Sequence, residues 1–194
     1  ALEGSIFIAG AGVQWLRDKI RLIDNAYETE KIAKSKKNSK GVYVVPAFTG
    51  LGAPYWNSKS RGLITGLTRD SDWRDLVRAT IESVAYQTSD LFLSMRKDGL
   101  NPKSVKVDGG MVSNNWFVQF LSEILKIKIT RSKINETTAL GAAYMAGYQT
   151  GIYRSLSDIK QNWKKDRDFK PKFNKSYRNK LLQGWQQAIK KTLA

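Results

Sequence analysis

The chain has 194 residues, of which 41% are hydrophobic, and it carries a formal charge of +16 from 33 basic and 17 acidic side chains. This length and composition fit one globular domain with a sizeable core. Because the sequence has no cysteine and no histidine, disulfides, thiolate and imidazole metal sites, cysteine nucleophiles and serine–histidine triads are all excluded. Any acid–base chemistry must therefore use carboxylates, lysine or tyrosine.

The first predicted elements are a strand over residues 4–9 (GSIFIA) and a helix, joined by a glycine turn at residues 10–12 (GAG). Apolar residues at 3-4-3 spacing predict the helix: Val13, Leu16, Ile20 and Ile23. The pattern resembles the opening of a dinucleotide-binding fingerprint, except that Trp15 occupies the third glycine position. Gln14 lies on the first turn of this helix, where its side-chain amide can hydrogen-bond a ligand or simply face solvent.

The next stretches predict a loop and two strands. Residues 28–40 are polar and lysine-rich, which is typical of a loop. Residues 41–48 (GVYVVPAF) predict a strand whose proline marks an edge or an exit. Residues 49–56 (TGLGAPYW) predict a structural turn with its aromatic side chains in the core, and residues 62–68 (GLITGLT) predict another strand.

A long helix follows, with recognisable signals at both ends. Asp72 is the predicted N-cap, with Asp75 three residues later, and Gly99 is placed to stop the helix after Asp98. Its apolar positions alternate at spacings of four and three, so one face should lie against a sheet: Val77, Ile81, Val84, Thr88, Leu91 and Met95. Glu82, in the middle of this helix, is expected to be solvated.

Residues 104–120 (SVKVDGGMVSNNWFVQF) combine a short strand, an Asp-Gly-Gly turn and the start of a helix. Gly109 and Gly110 allow unusual backbone dihedrals and leave no Cβ between the main chain and a ligand. Residues 113–115 (SNN) are all good N-cap types. A glycine turn between a strand and a helix N-terminus is typical of nucleotide sites in α/β proteins. It is also found in ordinary turns that bind nothing.

The remaining predicted elements are a strand, a helix of small residues and a final helix. Residues 127–130 predict the strand, and Thr137 or Thr138 is expected to cap the helix ALGAAYMAG, which must pack very closely or leave room for a ligand. Gly151 falls just beyond its end. The final helix, at about residues 175–191, should pack by one apolar stripe and expose its lysines. That stripe is Tyr177, Leu181, Trp185, Ala188 and Ile189.

The positive charge is concentrated in an irregular carboxyl-terminal region. Between Lys160 and Lys191 there are eleven Lys or Arg and two Asp. A basic chain is compatible with nucleic-acid binding, but lysines outnumber arginines 22 to 11, whereas readout of bases and phosphates favours arginine. We therefore expect a solvated surface and no nucleic-acid partner, and keep a basic nucleic-acid-binding module as the alternative from a different class of protein.

Taken together, these stretches resemble the carboxyl-terminal domain of the FGGY carbohydrate kinases, in particular the branch that phosphorylates glycerol. Residues 62–82 fit that family's second signature: Gly62-x-Ile64-x-Gly66-Leu67, seven residues, then Asp75-Leu76-x-x-Ala79-Thr80-Ile81-Glu82. Four further segments are similar in order and spacing: ALEGSIFIAGAGVQWLRD, VYVVPAFTGLGAPYW, VDGGMVSNNWFVQF and TALGAAYMAG. The resemblance covers essentially the whole chain and weakens over residues 28–40 and after Lys160.

The resemblance implies an α/β fold of the actin-like ATPase, or ribonuclease-H-like, type, truncated at its amino end and carrying a carboxyl-terminal helix. Residues 1–194 would form one domain, with residues 160–194 as a basic tail and final helix. Five residues are implied to bind nucleotide, the last two at its adenosine end: Gly10, Gln14, Gly109, Gly110 and Asn114. The general base, the phosphate loop and most of the polyol pocket would lie upstream of Ala1, so we expect no catalytic residue here and no activity from the chain alone.

The implied reaction is ATP-dependent phosphorylation of glycerol to glycerol 3-phosphate and ADP by the full protein, with another polyol or sugar of the same family as the alternative. Mg²⁺ would be held mainly through the nucleotide phosphates and the missing part of the protein, and no metal-ligating residue is expected here. The intact protein would be a cytoplasmic homo-oligomer without a membrane span.

Overall fold

The computed structural model describes residues 3–134 and 136–194, so Ala1 and Leu2 of the predicted opening segment lie outside the described residues. The described residues form seven helices and five strands. In chain order these are α1 (Gly10–Asp18), α2 (Glu28–Ser35), β1 (Tyr43–Val45), β2 (Leu63–Thr65), α3 (Trp73–Lys97), β3 (Ser104–Val107), a 3-10 turn (Gly110–Ser113), α4 (Asn115–Leu125), β4 (Lys128–Ser132), α5 (Thr137–Gln149), α6 (Leu156–Gln161), β5 (Lys165–Phe169) and α7 (Lys175–Leu193).

The strands form two small sheets. β1 pairs antiparallel with β2, with Val44 opposite Ile64. The second sheet has the order β3-β4-β5, in which β3 and β4 are parallel and β5 is antiparallel to β4. Because α4 connects the parallel strands β3 and β4, this part of the chain is a β-α-β unit. The Asp-Gly-Gly turn therefore lies at the carboxyl end of β3, as the sequence predicts.

The helix α3 begins and ends where the sequence predicts. The Asp72 carboxylate accepts a hydrogen bond from the Arg74 amide at 2.8 Å, and the Asp75 carboxylate accepts from the Asp72 amide at 2.9 Å, which completes a capping box. At the other end Gly99 has a φ of +88°, a left-handed conformation that glycine adopts readily. Along its length α3 contacts α1, α2, α4 and β1, so it is the central helix of the fold.

The hydrophobic core lies where α3, α4 and α7 meet. Tyr86 of α3 is 1% exposed and stacks on Trp185 of α7, with 5.4 Å between ring centroids. Phe120 of α4 meets the Tyr86 ring edge-on at 5.7 Å. The apolar stripe predicted for the final helix therefore packs as expected, because Trp185 and Ile189 are both buried.

Asp90 of α3 is a buried carboxylate that receives three side-chain hydrogen bonds. Tyr55 Oη and Trp185 Nε1 donate to its Oδ2 at 2.8 and 2.6 Å, and Gln186 Nε2 donates to its Oδ1 at 2.8 Å. Burial raises the pKa of Asp90, and the three donors act in the opposite direction. A buried carboxylate is tolerated when it has partners of this kind, so Asp90 fastens both α7 and the loop at residues 49–56 to α3.

Two predicted loops contain regular structure. Residues 28–40 were expected to form a loop, but they contain α2, because Thr29, Ile32 and Ala33 share one buried face at helical spacing. Lys31 and Lys34 of this helix are exposed, whereas Lys36, just after it, is largely covered and pairs with Asp72 and Asp75. The region after Lys160, expected to be irregular before its final helix, contains β5, which pairs with β4.

Two other predicted elements are wrong or too long. Residues 4–9 form no strand; they are irregular, and Ile8 is buried. The helix α1 ends at Asp18, so Ile20 and Ile23 lie beyond it. Phe7 and Ile20 are exposed, at 46% and 39%, so these apolar residues predicted neither the conformation nor the burial of the two segments correctly throughout.

Three side-chain predictions are also corrected. Glu82, expected to be solvated, is 2% exposed, and its Oε1 accepts from Arg78 Nε at 2.7 Å. Trp56, expected in the core, is 71% exposed. The N-cap of α5 is Glu136 rather than Thr137 or Thr138, and its side chain makes no capping bond. None of the helices in the described ranges is long and apolar enough to cross a lipid bilayer.

The small-residue helix α5 does not pack closely on the rest of the described chain. Among its residues only Gly147 is buried, and a Cβ there would approach the Tyr153 ring to 2.8 Å. Close packing, one of the two expectations for this helix, therefore holds only at its last turn.

Candidate functional site

A cavity of about 480 Å³ opens between α1, α2 and the 3-10 turn that precedes α4. Four of the five residues that the resemblance implied to bind nucleotide line it: Gly10, Gln14, Gly110 and Asn114. Gly109 is not among the lining residues. Cavities that hold small organic ligands have about this volume, so the structure brings the two glycine turns of the sequence to one site.

The two glycines of the Asp-Gly-Gly turn have different roles. Gly109 has a φ of +90° and a ψ of 173°, a region of backbone space essentially restricted to glycine. Gly110 has no positive φ, and a Cβ added to it would meet no protein atom within 4 Å. Gly109 therefore makes the turn possible, whereas Gly110 leaves open space beside the cavity.

Asn114 caps α4 and also faces α2. Its Oδ1 accepts a hydrogen bond from the Phe117 amide at 2.8 Å, which identifies it as the capping residue among the three candidates at 113–115. Its Nδ2 donates to Thr29 Oγ1 at 3.2 Å. The amide is thus held by one bond on each side.

The N-terminus of α4 is occupied by a protein carboxylate. Glu30 Oε2 accepts from the Asn115 amide at 3.1 Å, and its Oε1 accepts from Asn115 Nδ2 at 3.3 Å. Burial opposes ionisation of Glu30, but hydrogen bonds from Lys34 and Asn115 outweigh it and lower the pKa of Glu30. Helix N-termini favour anions, and Glu30 already fills that position. The cavity therefore suits an uncharged part of a ligand better than a phosphate at this helix end.

Arg131 of β4 braces the turn from the sheet side. Its Nη1 donates to the Val112 carbonyl at 2.7 Å, and its Nη2 donates to Asn115 Oδ1 at 3.1 Å. The same guanidinium pairs with Asp166 of β5 at 2.6 Å. Strand β5 thus supports the cavity wall indirectly, through one arginine.

The rest of the cavity wall is largely apolar. Val13, Ile81 and Met111 contribute aliphatic or thioether surface, and Tyr27, which is 82% exposed, stands at the rim. Arg17 also lines the rim, paired with Asp18 at 2.6 Å. Apolar walls with a few amide groups are the usual lining for a planar, partly polar ligand.

Sequence reasoning missed Thr29, Glu30 and Arg131. Thr29 and Glu30 lie in the stretch that was expected to be a loop, and each meets its α4 partner across 85 residues of chain. The buried spacing of Thr29, Ile32 and Ala33 was a signal for the helix. The partner of Glu30 had no sequence signal.

The described residues, 3–134 and 136–194, contain no group of three or more acidic, histidine or cysteine side chains that could hold a metal ion.

The chain belongs to the FGGY family of carbohydrate kinases: the model of that family's C-terminal domain matches residues 1–150. Its relatives include Glycerol kinase 1 of Pseudomonas aeruginosa, 54% identical over 98% of this chain and 39% of that protein. The glycerol kinase of Rhodospirillum centenum is 52% identical over 99% of this chain and 39% of that protein. The chain thus spans about two fifths of the length of these relatives.

Solved structures give the same assignment. A crystal structure of Plasmodium falciparum glycerol kinase with ADP is 40% identical and superposes with a TM-score of 0.89, over 98% of this chain and 38% of that one. A xylulose kinase from Lactobacillus acidophilus is only 22% identical, but has a TM-score of 0.79 over 96% of this chain and 38% of that one, which shows the shared fold. The predicted α/β, actin-like ATPase fold and the predicted family are therefore confirmed.

Proposed function

We propose that the protein to which this chain belongs is an ATP-dependent glycerol kinase, which converts glycerol and ATP to glycerol 3-phosphate and ADP. Its curated relatives at 50–54% identity carry that name. The chain would supply the adenosine side of the nucleotide site. The observation that carries this assignment is the cavity lined by Gly10, Gln14, Gly110 and Asn114.

The chemistry of the cavity supports binding of adenosine rather than of the phosphates. The apolar wall and the open space at Gly110 accommodate a flat base, and the amides of Gln14 and Asn114 provide hydrogen-bonding groups for base or ribose. Glu30 keeps negative charge at the N-terminus of α4, which disfavours a phosphate there. The phosphates would point away from α4, toward protein outside this chain.

The contribution of these residues to the reaction is orientation. Phosphoryl transfer depends mostly on positioning and on stabilising charge, and a fixed adenosine sets the direction in which the phosphates extend. Mg²⁺ would arrive with the ATP phosphates, where it neutralises charge. The assignment of Gly10, Gln14, Gly109, Gly110 and Asn114 to nucleotide, the upstream general base, the cytoplasmic location and the homo-oligomer stay predictions.

The test is a substrate comparison with the full-length protein. ADP release is measured with ATP and each of glycerol, xylulose and gluconate, and the phosphorylated product is identified. We expect kcat/KM for glycerol to be at least about tenfold higher than for either alternative. A higher value for xylulose or gluconate contradicts the proposal and favours another FGGY kinase. Residues 1–194 alone are expected to show no glycerol-dependent ADP release.

A further inference from the structure

We propose that Thr29, at the start of α2, is a positioning residue for the nucleotide: its hydroxyl fixes the side-chain amide of Asn114 in the orientation that binds adenosine. This inference rests on the proposed function and adds to it a residue outside both glycine turns. The observation behind it is the hydrogen bond from Asn114 Nδ2 to Thr29 Oγ1, 3.2 Å long, across the wall of the cavity.

The direction of each hydrogen bond around Thr29 is determined. The hydroxyl has one proton, which it donates to the Ala26 carbonyl at 2.6 Å. Its oxygen is therefore left as an acceptor, and it can be approached favourably only by the NH₂ side of Asn114. On the other side, the Phe117 amide donates at 2.8 Å and requires the Oδ1 side of Asn114.

These two partners select one of the two orientations of the Asn114 amide. A 180° flip would place Oδ1 against the oxygen of Thr29 and the NH₂ group against the Phe117 N–H, so both hydrogen bonds would be lost. Asn114 Nδ2 has two protons, and the bond to Thr29 uses one of them. Among the described residues the second has no protein acceptor, and Asn114 is one of the residues that line the cavity.

The surroundings hold Thr29 in place. Thr29 is 3% exposed, and it is itself one of the residues that line the cavity. The helix α2 is tied to α4 by Glu30, whose carboxylate accepts from the Asn115 amide at 3.1 Å. The hydroxyl also fixes Ala26, which lies beside Tyr27 at the cavity rim. Thr29 thus sets the distance and orientation between two walls of the cavity.

The test uses the intact kinase with Thr29→Val, which has nearly the same shape but no hydroxyl, and Thr29→Ser, which keeps the hydroxyl. A neutral hydrogen bond changes an equilibrium by about two- to tenfold. We expect Thr29→Val to raise KM for ATP about three- to tenfold, with kcat and KM for glycerol within about twofold. Thr29→Ser should restore KM for ATP to within about twofold of the parent value.

Two further variants separate positioning from general stability. Ser35→Ala is the matched control, because the Ser35 hydroxyl is on the same helix and also donates to a carbonyl three residues earlier, but Ser35 does not line the cavity. We expect this variant to leave KM for ATP unchanged. In an Asn114→Ala background, adding Thr29→Val should have no further effect on KM for ATP, because Thr29 acts through Asn114. If Thr29→Val folds poorly, Thr29→Ala is measured with the same expectation.

The outcomes are distinct. A parent enzyme that does not phosphorylate glycerol contradicts the proposed function. An active parent whose KM for ATP is unchanged by Thr29→Val contradicts the inference alone. Equal effects of Thr29→Val and Thr29→Ser, or additive effects of Thr29→Val and Asn114→Ala, would show that Thr29 acts by packing and would also overturn it.

Discussion

Gly109 and Gly110 are adjacent in sequence, but they have different structural roles. The sequence predicted both as ligand-facing residues with unusual dihedrals. Only Gly109 has a positive φ, and only Gly110 lines the cavity. Strain and ligand contact can therefore be tested independently by one substitution at each position.

Gly110→Val should weaken ATP binding without destabilising the intact protein. Its new Cβ would meet no protein atom within 4 Å, and it would occupy the space proposed for the nucleotide. Calorimetry should give a Kd for ATP at least about tenfold higher and an unchanged Kd for glycerol. Gly109→Ala is the matched control: it should lower stability by about 1–3 kcal/mol, because its backbone region is nearly closed to other residues. An unchanged ATP affinity in a folded Gly110→Val protein would remove this turn from the site.

At the residue scale, the caps at Asp72 and Asn114 were predicted correctly from local signals, the cap of α5 was not, and partners distant in sequence were not predicted. Asn114 is recognisable as a cap from its residue type and its place before an apolar stripe, because a cap needs only neighbours within three residues. Glu30 meets Asn115 across 85 residues, and Glu82 is buried beside Arg78 because α2 and its following turn cover both. No local pattern encodes which acidic side chain will find such a partner.

Among the elements, α3 shows how much a helix depends on the N-cap residue that precedes it. Asp72 accepts from the Arg74 amide and also pairs with Arg74 and Lys36. These hydrogen bonds, from Arg74 first and Lys36 second, lower the pKa of Asp72 well below its ordinary value. The cap and the charge can be separated, since asparagine caps a helix but does not ionise.

Asp72→Ala should destabilise the protein by about 1 kcal/mol, the usual cost of losing a cap. Asp72→Asn should keep the cap and lose only the charge. The pKa of Asp72 is lower in the folded protein than in the unfolded chain, where it is about 4. The negative charge therefore stabilises the folded protein fully above about pH 4, and this stabilisation is lost as the pH falls toward the folded pKa. Melting curves should therefore show an Asp72→Asn deficit that is constant from about pH 5 to 8 and shrinks in stronger acid. A deficit that grows below pH 4 would contradict this assignment.

Elements with strong end signals were predicted better than elements defined by composition. The long helix α3 has a cap, a regular stripe and a terminal glycine, and its limits were correct. The helix α2 was not predicted, because the five lysines between residues 31 and 40 are typical of a loop and only three positions of the helix are buried. The strand β5 has alternating charges rather than alternating apolar residues, and it exists because β4 offers it an edge.

In the molecule as a whole, the basic tail contributes no side chain to the lining of the cavity. Among the described residues that line the cavity, none lies beyond Asn114. Lys165 pairs with Asp168 at 3.1 Å, and Lys191 donates to Thr65 at 3.2 Å, so two tail lysines have local partners. Exposed charges of this kind contribute little energy, and salt screens them beyond roughly 8–10 Å.

Replacing Lys164, Lys165, Lys190 and Lys191 together by glutamine should leave KM for ATP within about twofold in the intact enzyme. A tenfold rise that persists at high salt would show that the tail reaches the nucleotide. The same preparation tests the alternative of nucleic-acid binding. Affinity for DNA or RNA that falls steeply with salt and disappears in this variant would favour a basic binding module.

The hydrogen bonds at Asp90 also impose an order on biosynthesis. Trp185 lies 95 residues after Asp90, and ribosomes add about 5–20 residues per second. The indole that donates to Asp90 is therefore synthesised about 5–20 s after the carboxylate. During that interval α3 and α4 can meet, but two of the three donors to Asp90 have not yet been made. A nascent or truncated chain that stops short of Trp185 lacks two of the three donors to Asp90, so water must solvate that side of the carboxylate and the core face that α7 covers stays exposed.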